Sequence, residues 1–105
     1  MCIRDRLFGS GGVLVEVYND IALRLCPLDE SDALEMISEV KGARLLEGFR
    51  GSAAADSNAL VETLVRVSQL GNQLDGTLAE LDINPLMVLP AGLGVKAADA
   101  VAVLR

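Results

Sequence analysis

The sequence predicts an α+β fold, a β-hairpin followed by two helices and then a β-meander. Three observations predict it. Apolar residues alternate, or cluster as β-branched runs, near both ends of the chain. Between those runs, apolar residues recur at helical spacing in two stretches. Gly, Pro, Asn and Asp fall at the boundaries. The 105 residues suffice for one small domain, with no repeat, linker or low-complexity tract.

Gly9-Ser10-Gly11-Gly12 reads as a flexible turn into a strand, Val13 to Tyr18. It has no Gly-Lys-Ser/Thr ending and no helix start behind it, so neither a Walker loop nor a dinucleotide fingerprint is met. After the turn pair Asn19-Asp20, Ile21 to Leu25 alternates as the returning strand of a hairpin, ended by Pro27. Asp29-Glu30-Ser31-Asp32 supplies capping oxygens and negative charge for a helix start. Ala33, Met36, Ile37 and Val40 form its apolar stripe. Gly42 interrupts, Ala43 to Leu46 offers a short further turn, and Glu47 to Gly51 is a glycine-bracketed loop. Asp56 or Ser57 caps the second helix. Its stripe is Leu60, Val61, Leu64, Val67 and Leu70, and Gly71-Asn72 is expected to stop it. Thr77 to Ile83 alternates as a strand ended by Pro85. Leu86 to Leu89 and Val95 to Ala98 flank Pro90 to Gly94 as a second hairpin, and Ala100 to Leu104 is a short terminal element.

Composition narrows the function. Half the chain is hydrophobic but only three residues are aromatic, so the core must be aliphatic. A net charge of −6, with nine scattered basic residues, argues against nucleic-acid binding. No His is present, and Cys2 and Cys26 stand apart, which argues against zinc chemistry and a disulfide framework. A reducing, cytoplasmic setting is expected. No apolar run approaches the roughly 18 residues of a membrane span. Met1-Cys2-Ile3-Arg4-Asp5-Arg6 carries charge where a signal peptide is apolar. It resembles a translated adaptor leader. Residues 1–6 are therefore expected to be non-native, with the domain at 7–105 and the natural chain continuing upstream of Leu7.

The chemistry-bearing segment is Glu80-Leu81-Asp82-Ile83-Asn84-Pro85. Alternate strand residues share a face, so Glu80, Asp82 and Asn84 point one way and Leu81 and Ile83 the other. Asp99 follows the second hairpin, where a neighbouring strand would bring its carboxylate alongside. Mg²⁺ favours such a set, with one or two carboxylate or amide oxygens and the remaining positions filled by phosphates and water. The same spacing describes a solvated sheet face with a turn at Asn84-Pro85, and spacing alone leaves both open.

A resemblance extends this reading. Glu80 to Leu86, a hairpin, and then Ala98-Asp99-Ala100 resemble the C-terminal end of the ATP-grasp domain in NDP-forming acyl-CoA synthetases. That superfamily includes acetate–CoA ligase (ADP-forming) and succinyl-CoA synthetase. Phe8-Gly9-Ser10-Gly11-Gly12-Val13 through Glu16 is similar to the family's Gly-Gly strand. Asp20 to Leu28 is similar to its D-(V/I)-A-x-R-x-x-P-L segment, and Leu45 to Gly51, with Asp56, to its L-L-x-G-x-R-G segment. The matches run in order from about Leu7 to Arg105.

The resemblance implies a partial ATP-grasp domain that binds Mg²⁺ and ATP or ADP. Asp82, Asn84 and Asp99 would be the metal ligands, and Glu80 would support the nucleotide site. Arg50 either meets phosphate or carboxylate there or pairs with Glu47 or Asp56. Glu16 either faces the cleft or is an ordinary amphipathic strand residue. In the family, the phosphate-holding lysine, its flexible loop and the adenine hinge lie upstream. The CoA-binding domain or subunit and the phosphorylated histidine lie elsewhere. The chain alone is thus not expected to complete a turnover. The resemblance also admits a parent of another class, a protein lysine acetyltransferase carrying this region as a regulatory or binding domain.

Overall fold

The computed structural model describes residues 2–4, 7–9, 21–23, 28–40, 46, 54–74 and 76–105. Strands β1 (Cys2–Arg4), β2 (Leu7–Gly9) and β3 (Ile21–Leu23) precede helices α1 (Glu30–Glu39) and α2 (Ser57–Gln73). Strands β4 (Leu78–Ile83), β5 (Leu86–Val88), β6 (Val95–Ala97) and β7 (Ala100–Leu104) follow. A five-stranded antiparallel sheet runs β3-β2-β1-β4-β7, and β5 and β6 form a separate two-stranded sheet.

The order matches the α+β expectation. The expected strand Val13–Tyr18 and its turn lie outside the described residues. The described part of its hairpin partner, β3, pairs with β2, Phe8 opposite Ala22. Cys2–Arg4, set apart in the sequence reading, takes a strand position between β2 and β4. After α2 the pairing is nested: β4 pairs with β7, and the β5–β6 hairpin branches off between them. Pro85, which has no N–H for a ladder, stands at that branch.

α1 begins as its sequence requires. Asp29 is the N-cap, its carboxylate accepts from the Asp32 N–H (2.8 Å), and the Asp32 carboxylate accepts from the Asp29 N–H (3.2 Å). α2 begins at the Asp56 cap but does not stop at Gly71-Asn72. It runs to Gln73, and the Leu74 N–H still donates to the Leu70 carbonyl (3.0 Å). A glycine inside a helix costs only about 1 kcal/mol, so it weakens a helix without ending it. The helix ends with Leu74 as its C-cap, and Gly76, with a φ of 88°, lies on the way to β4.

Among the described residues the core is free of aromatic side chains apart from Phe8. Phe8 and Ala22 of the sheet meet Ala33, Met36 and Ile37 of α1, Leu60, Val61 and Leu64 of α2, and Leu86 of β5. Val88, Val95 and Ile83 pack against its margin. Leu70, expected on the α2 stripe, is 42% exposed, because the stripe has by then passed the end of the core. Ser68 is the buried polar residue among the described core: it accepts from the Leu28 N–H (2.9 Å) and donates to the Val65 carbonyl (2.8 Å).

Candidate functional site

β4 and β7 bring the candidate ligands together by register. Asp82 stands opposite Val101 and Ile83 opposite Ala100, and the ladder continues as the Asn84 N–H donates to the Asp99 carbonyl (3.0 Å). Directly opposed residues point to the same face, as do residues two apart on one strand. Asp82, Asn84 and Asp99 therefore share one face, with Glu80 further along opposite Val103. Opposed side chains of an antiparallel pair have Cβ atoms about 4.5–5.5 Å apart, and diagonal ones about 7–8 Å. Two carboxylates and an amide so placed can converge on an ion that takes oxygens at about 2.0–2.1 Å. Asp82 is half-buried, and Glu80, Asn84 and Asp99 are exposed. On the other face Ile83 packs against the core, as the alternation predicts.

The donor set fits magnesium in kind, with hard oxygens and fewer protein ligands than a full cage. No group of three or more His, Cys, Asp or Glu that could hold a metal ion occurs among the described residues. The three candidates, two carboxylates and an amide, make a partial set that leaves room for phosphate and water. Arg50 and Glu16 lie outside the described residues.

A connection that sequence reasoning missed runs from the ligands to the start of α2. The Asn84–Pro85 peptide is cis. The Ala98 N–H donates to the Pro85 carbonyl (3.0 Å), Leu86 pairs with Ala97 and Val88 with Val95, and the Leu89 N–H donates to the Gly94 carbonyl (3.0 Å). The far end of this hairpin lies against residues 54–56. Ala55 bridges Pro90, the Asp56 N–H donates to the Leu89 carbonyl (2.7 Å), and the Ala91 N–H donates to the Ala54 carbonyl (2.9 Å). The Asp56 carboxylate completes the junction. One oxygen caps α2 through the Ala59 N–H (3.1 Å), and the other accepts from the Gly92 N–H (3.1 Å) and the Gly94 N–H (2.9 Å). These donors hold its carboxyl below the ordinary value, the Ala59 N–H most of all, then that of Gly94; partial desolvation opposes them, and the Gly92 N–H adds to the lowering. The sequence marked Asp56 as a helix cap. The Gly92-Leu93-Gly94 spacing was the remaining signal, but its partner stands 36 and 38 residues away.

The described residues thus combine an antiparallel sheet backed by two helices with oxygen donors on adjacent strands. The chain belongs to the ATP-grasp family, whose domain matches residues 6–104. Within that family it is 39% identical over 99 residues to the acetate–CoA ligase [ADP-forming] II subunit beta of Pyrococcus furiosus, covering 94% of this chain and 42% of that subunit. It superposes on the apo form of the dinucleotide forming acetyl-coenzyme A synthetase 1 of Ca. Korarchaeum cryptofilum with a TM-score of 0.87 and 42% identity, over 94% of this chain and 46% of that one. A selenomethionine derivative of the same synthetase, in complex with coenzyme A and Mg-AMPPCP and with its phosphohistidine segment pointing towards the nucleotide binding site, matches with a TM-score of 0.86 and 42% identity, over 94% of this chain and 45% of that one. The chain thus spans less than half the length of these relatives. Among the described residues no helix is long and apolar enough to cross a membrane.

Proposed function

We propose that this chain is the C-terminal part of the ATP-grasp domain of an NDP-forming acyl-CoA synthetase of the acetate–CoA ligase type, and that it holds Mg²⁺ on ATP or ADP. The observation that carries this reading is the shared face of Asp82, Asn84 and Asp99, joined by the Asn84–Asp99 backbone hydrogen bond. In the proposed role Asp82 and Asp99 supply charge and Asn84 supplies a neutral oxygen. Glu80 supports the same face, and Arg50 meets phosphate. When bound, Mg²⁺ neutralises charge that develops on the phosphates during phosphoryl transfer between nucleotide and a phosphohistidine. The work of the chain's own residues is positioning, which rigid paired strands perform well.

The solved relative bound to coenzyme A and Mg-AMPPCP supports the ligand assignment. On this reading the partners are the rest of the ATP-grasp domain and a CoA-binding domain or subunit, in the cytoplasm. Val101, Val103 and Leu104 of β7 are 55%, 44% and 66% exposed, as expected of a strand that the remainder of the domain covers. The ligase and synthetase names of the relatives weigh against the acetyltransferase reading. Isothermal titration of the intact subunit with Mg-ADP tests the proposal. The Asp82→Ala, Asp99→Ala double variant is expected to lose Mg²⁺-dependent binding. Equal binding by the two proteins would refute the site.

A further inference from the structure

The hairpin that carries Asn84 and Asp99 at its feet is held at its other end by the backbone of residues 54–56 and by the Asp56 side chain. At the feet, single backbone hydrogen bonds join Asn84 to Asp99 and Pro85 to Ala98; the β5–β6 ladder then pairs Leu86 with Ala97, Met87 with Lys96 and Val88 with Val95, and a bond between Leu89 and Gly94 leads into the turn. The turn then meets the Asp56 carboxylate, which takes the N–H groups of Gly92 and Gly94 while capping α2. From Leu89 back to Asn84 is about 15 Å of chain, so a rotation of about 5° at the turn moves the feet by about 1.3 Å. Metal sites tolerate only about 0.2 Å in their ligand distances.

From this arrangement we infer that Asp56 is a positioning residue for the metal–nucleotide site: its clamp on the β5–β6 turn sets how Asn84 and Asp99 sit relative to α2 and to Asp82, which lies on β4 outside the hairpin. The inference rests on the proposed metal reading and deepens it. Three N–H donors converge on this one carboxylate, and only an acceptor-only group suits all three. Asp56→Asn replaces one oxygen with an NH₂ donor, which must face either the Gly92 and Gly94 N–H groups or the Ala59 N–H. Asp56→Ser retains a helix cap but is too short to reach the turn. The two variants separate the clamp from the cap.

The test is titration of the intact subunit with ADP, with and without Mg²⁺, for wild type, Asp56→Asn, Asp56→Ser, Ser68→Ala and the Asp82→Ala, Asp99→Ala double variant. Ser68→Ala serves as a destabilised control, since the Ser68 hydroxyl bonds to Leu28 and Val65 and not to the hairpin. Residues that orient metal ligands typically change metal affinity by about 10–100-fold, so both Asp56 variants are expected to weaken Mg-ADP binding about tenfold while metal-free ADP binding stays within about twofold. Ser68→Ala is expected to change neither. Wild-type Mg-ADP affinity in both Asp56 variants, with the double variant impaired, would overturn the inference and leave the metal reading standing. A loss shared equally by Ser68→Ala would also overturn it, since general destabilisation would then account for the effect. An unimpaired double variant would overturn both.

Discussion

Ser68→Ala tests whether one buried hydroxyl joins α2 to the chain ahead of α1. Ser68 is 1% exposed, and its Oγ accepts from the N–H of Leu28, itself 8% exposed and 40 residues away. Among the described residues no buried side-chain polar atom lacks a partner, and this hydroxyl is part of why. Removing it leaves the Leu28 N–H buried and unmatched, which costs about 1–3 kcal/mol. The Val65 carbonyl loses the hydroxyl donor but keeps the helical N–H four residues on, so it adds little. Alanine's better helix propensity returns about 0.5 kcal/mol. The volume lost is one oxygen, too small for a cavity contribution of its own. The net expectation is a loss of about 1–2 kcal/mol, or a fall in Tm of about 4–8 °C per kcal/mol for a domain of this size. In urea, with a slope near 1.5 kcal/mol/M, the midpoint should fall by about 1 M and the slope should not change. The assay is urea denaturation of the chain followed by far-UV circular dichroism. A Ser68→Ala chain as stable as wild type would refute the reasoning, because the Leu28 amide would then have another partner or no need of one.

The hairpin turn and its carboxylate give two more expectations. Gly94 has φ of 82° and an added Cβ would meet nothing within 4 Å, so Gly94→Ala should cost about 1–2 kcal/mol from backbone conformation alone. Urea denaturation checks this, and an unchanged midpoint would show that the turn relaxes. The Asp56 carboxyl is held below its ordinary value of 3.8, so it binds protons more weakly folded than unfolded. Its stabilisation is therefore complete above the unfolded value and is lost as pH falls from about 4 toward the folded value. The stability gap between wild type and Asp56→Asn should narrow over that range, and a gap constant down to pH of about 2.5 would contradict the assignment of the charge.

The sequence disclosed what local chemistry determines. The Asp29–Asp32 capping box, the Asp56 cap, the buried stripes of α1 and α2 and the β5–β6 hairpin each follow from residues within a few positions of one another. The Asp82, Asn84 and Asp99 face was legible for the same reason, since strand alternation and one intervening hairpin suffice to place it. Other features were not. α2 continued through Gly71 and Asn72 because weak helix residues cost too little to end a helix, and it stopped only after Gln73. The strand formed by Cys2–Arg4 depends on which distant segments meet. The Asp56 clamp and the Ser68–Leu28 bond span 36 to 40 residues, and no local pattern announces them.

The exposure of the candidate ligands bears on how they would act. Coulomb attraction between two unit charges 4 Å apart is about 1 kcal/mol in water and about 4 kcal/mol at the effective dielectric of a protein surface. With Asn84 and Asp99 exposed to water, this face alone would hold a hydrated cation only weakly on the proposed reading. Yet Val101 and Val103 lie on the same face, opposite Asp82 and Glu80, and both are largely exposed. Apolar side chains interleaved with a few convergent oxygen donors are how nucleotide pockets are lined once covered. On the proposed reading the two observations have one cause. The chain supplies one wall of a cleft, and the opposite wall would both bury the valines and lower the dielectric around the carboxylates. Metal affinity would then belong to the closed cleft and not to the three ligands by themselves, which is why the titrations require the intact subunit.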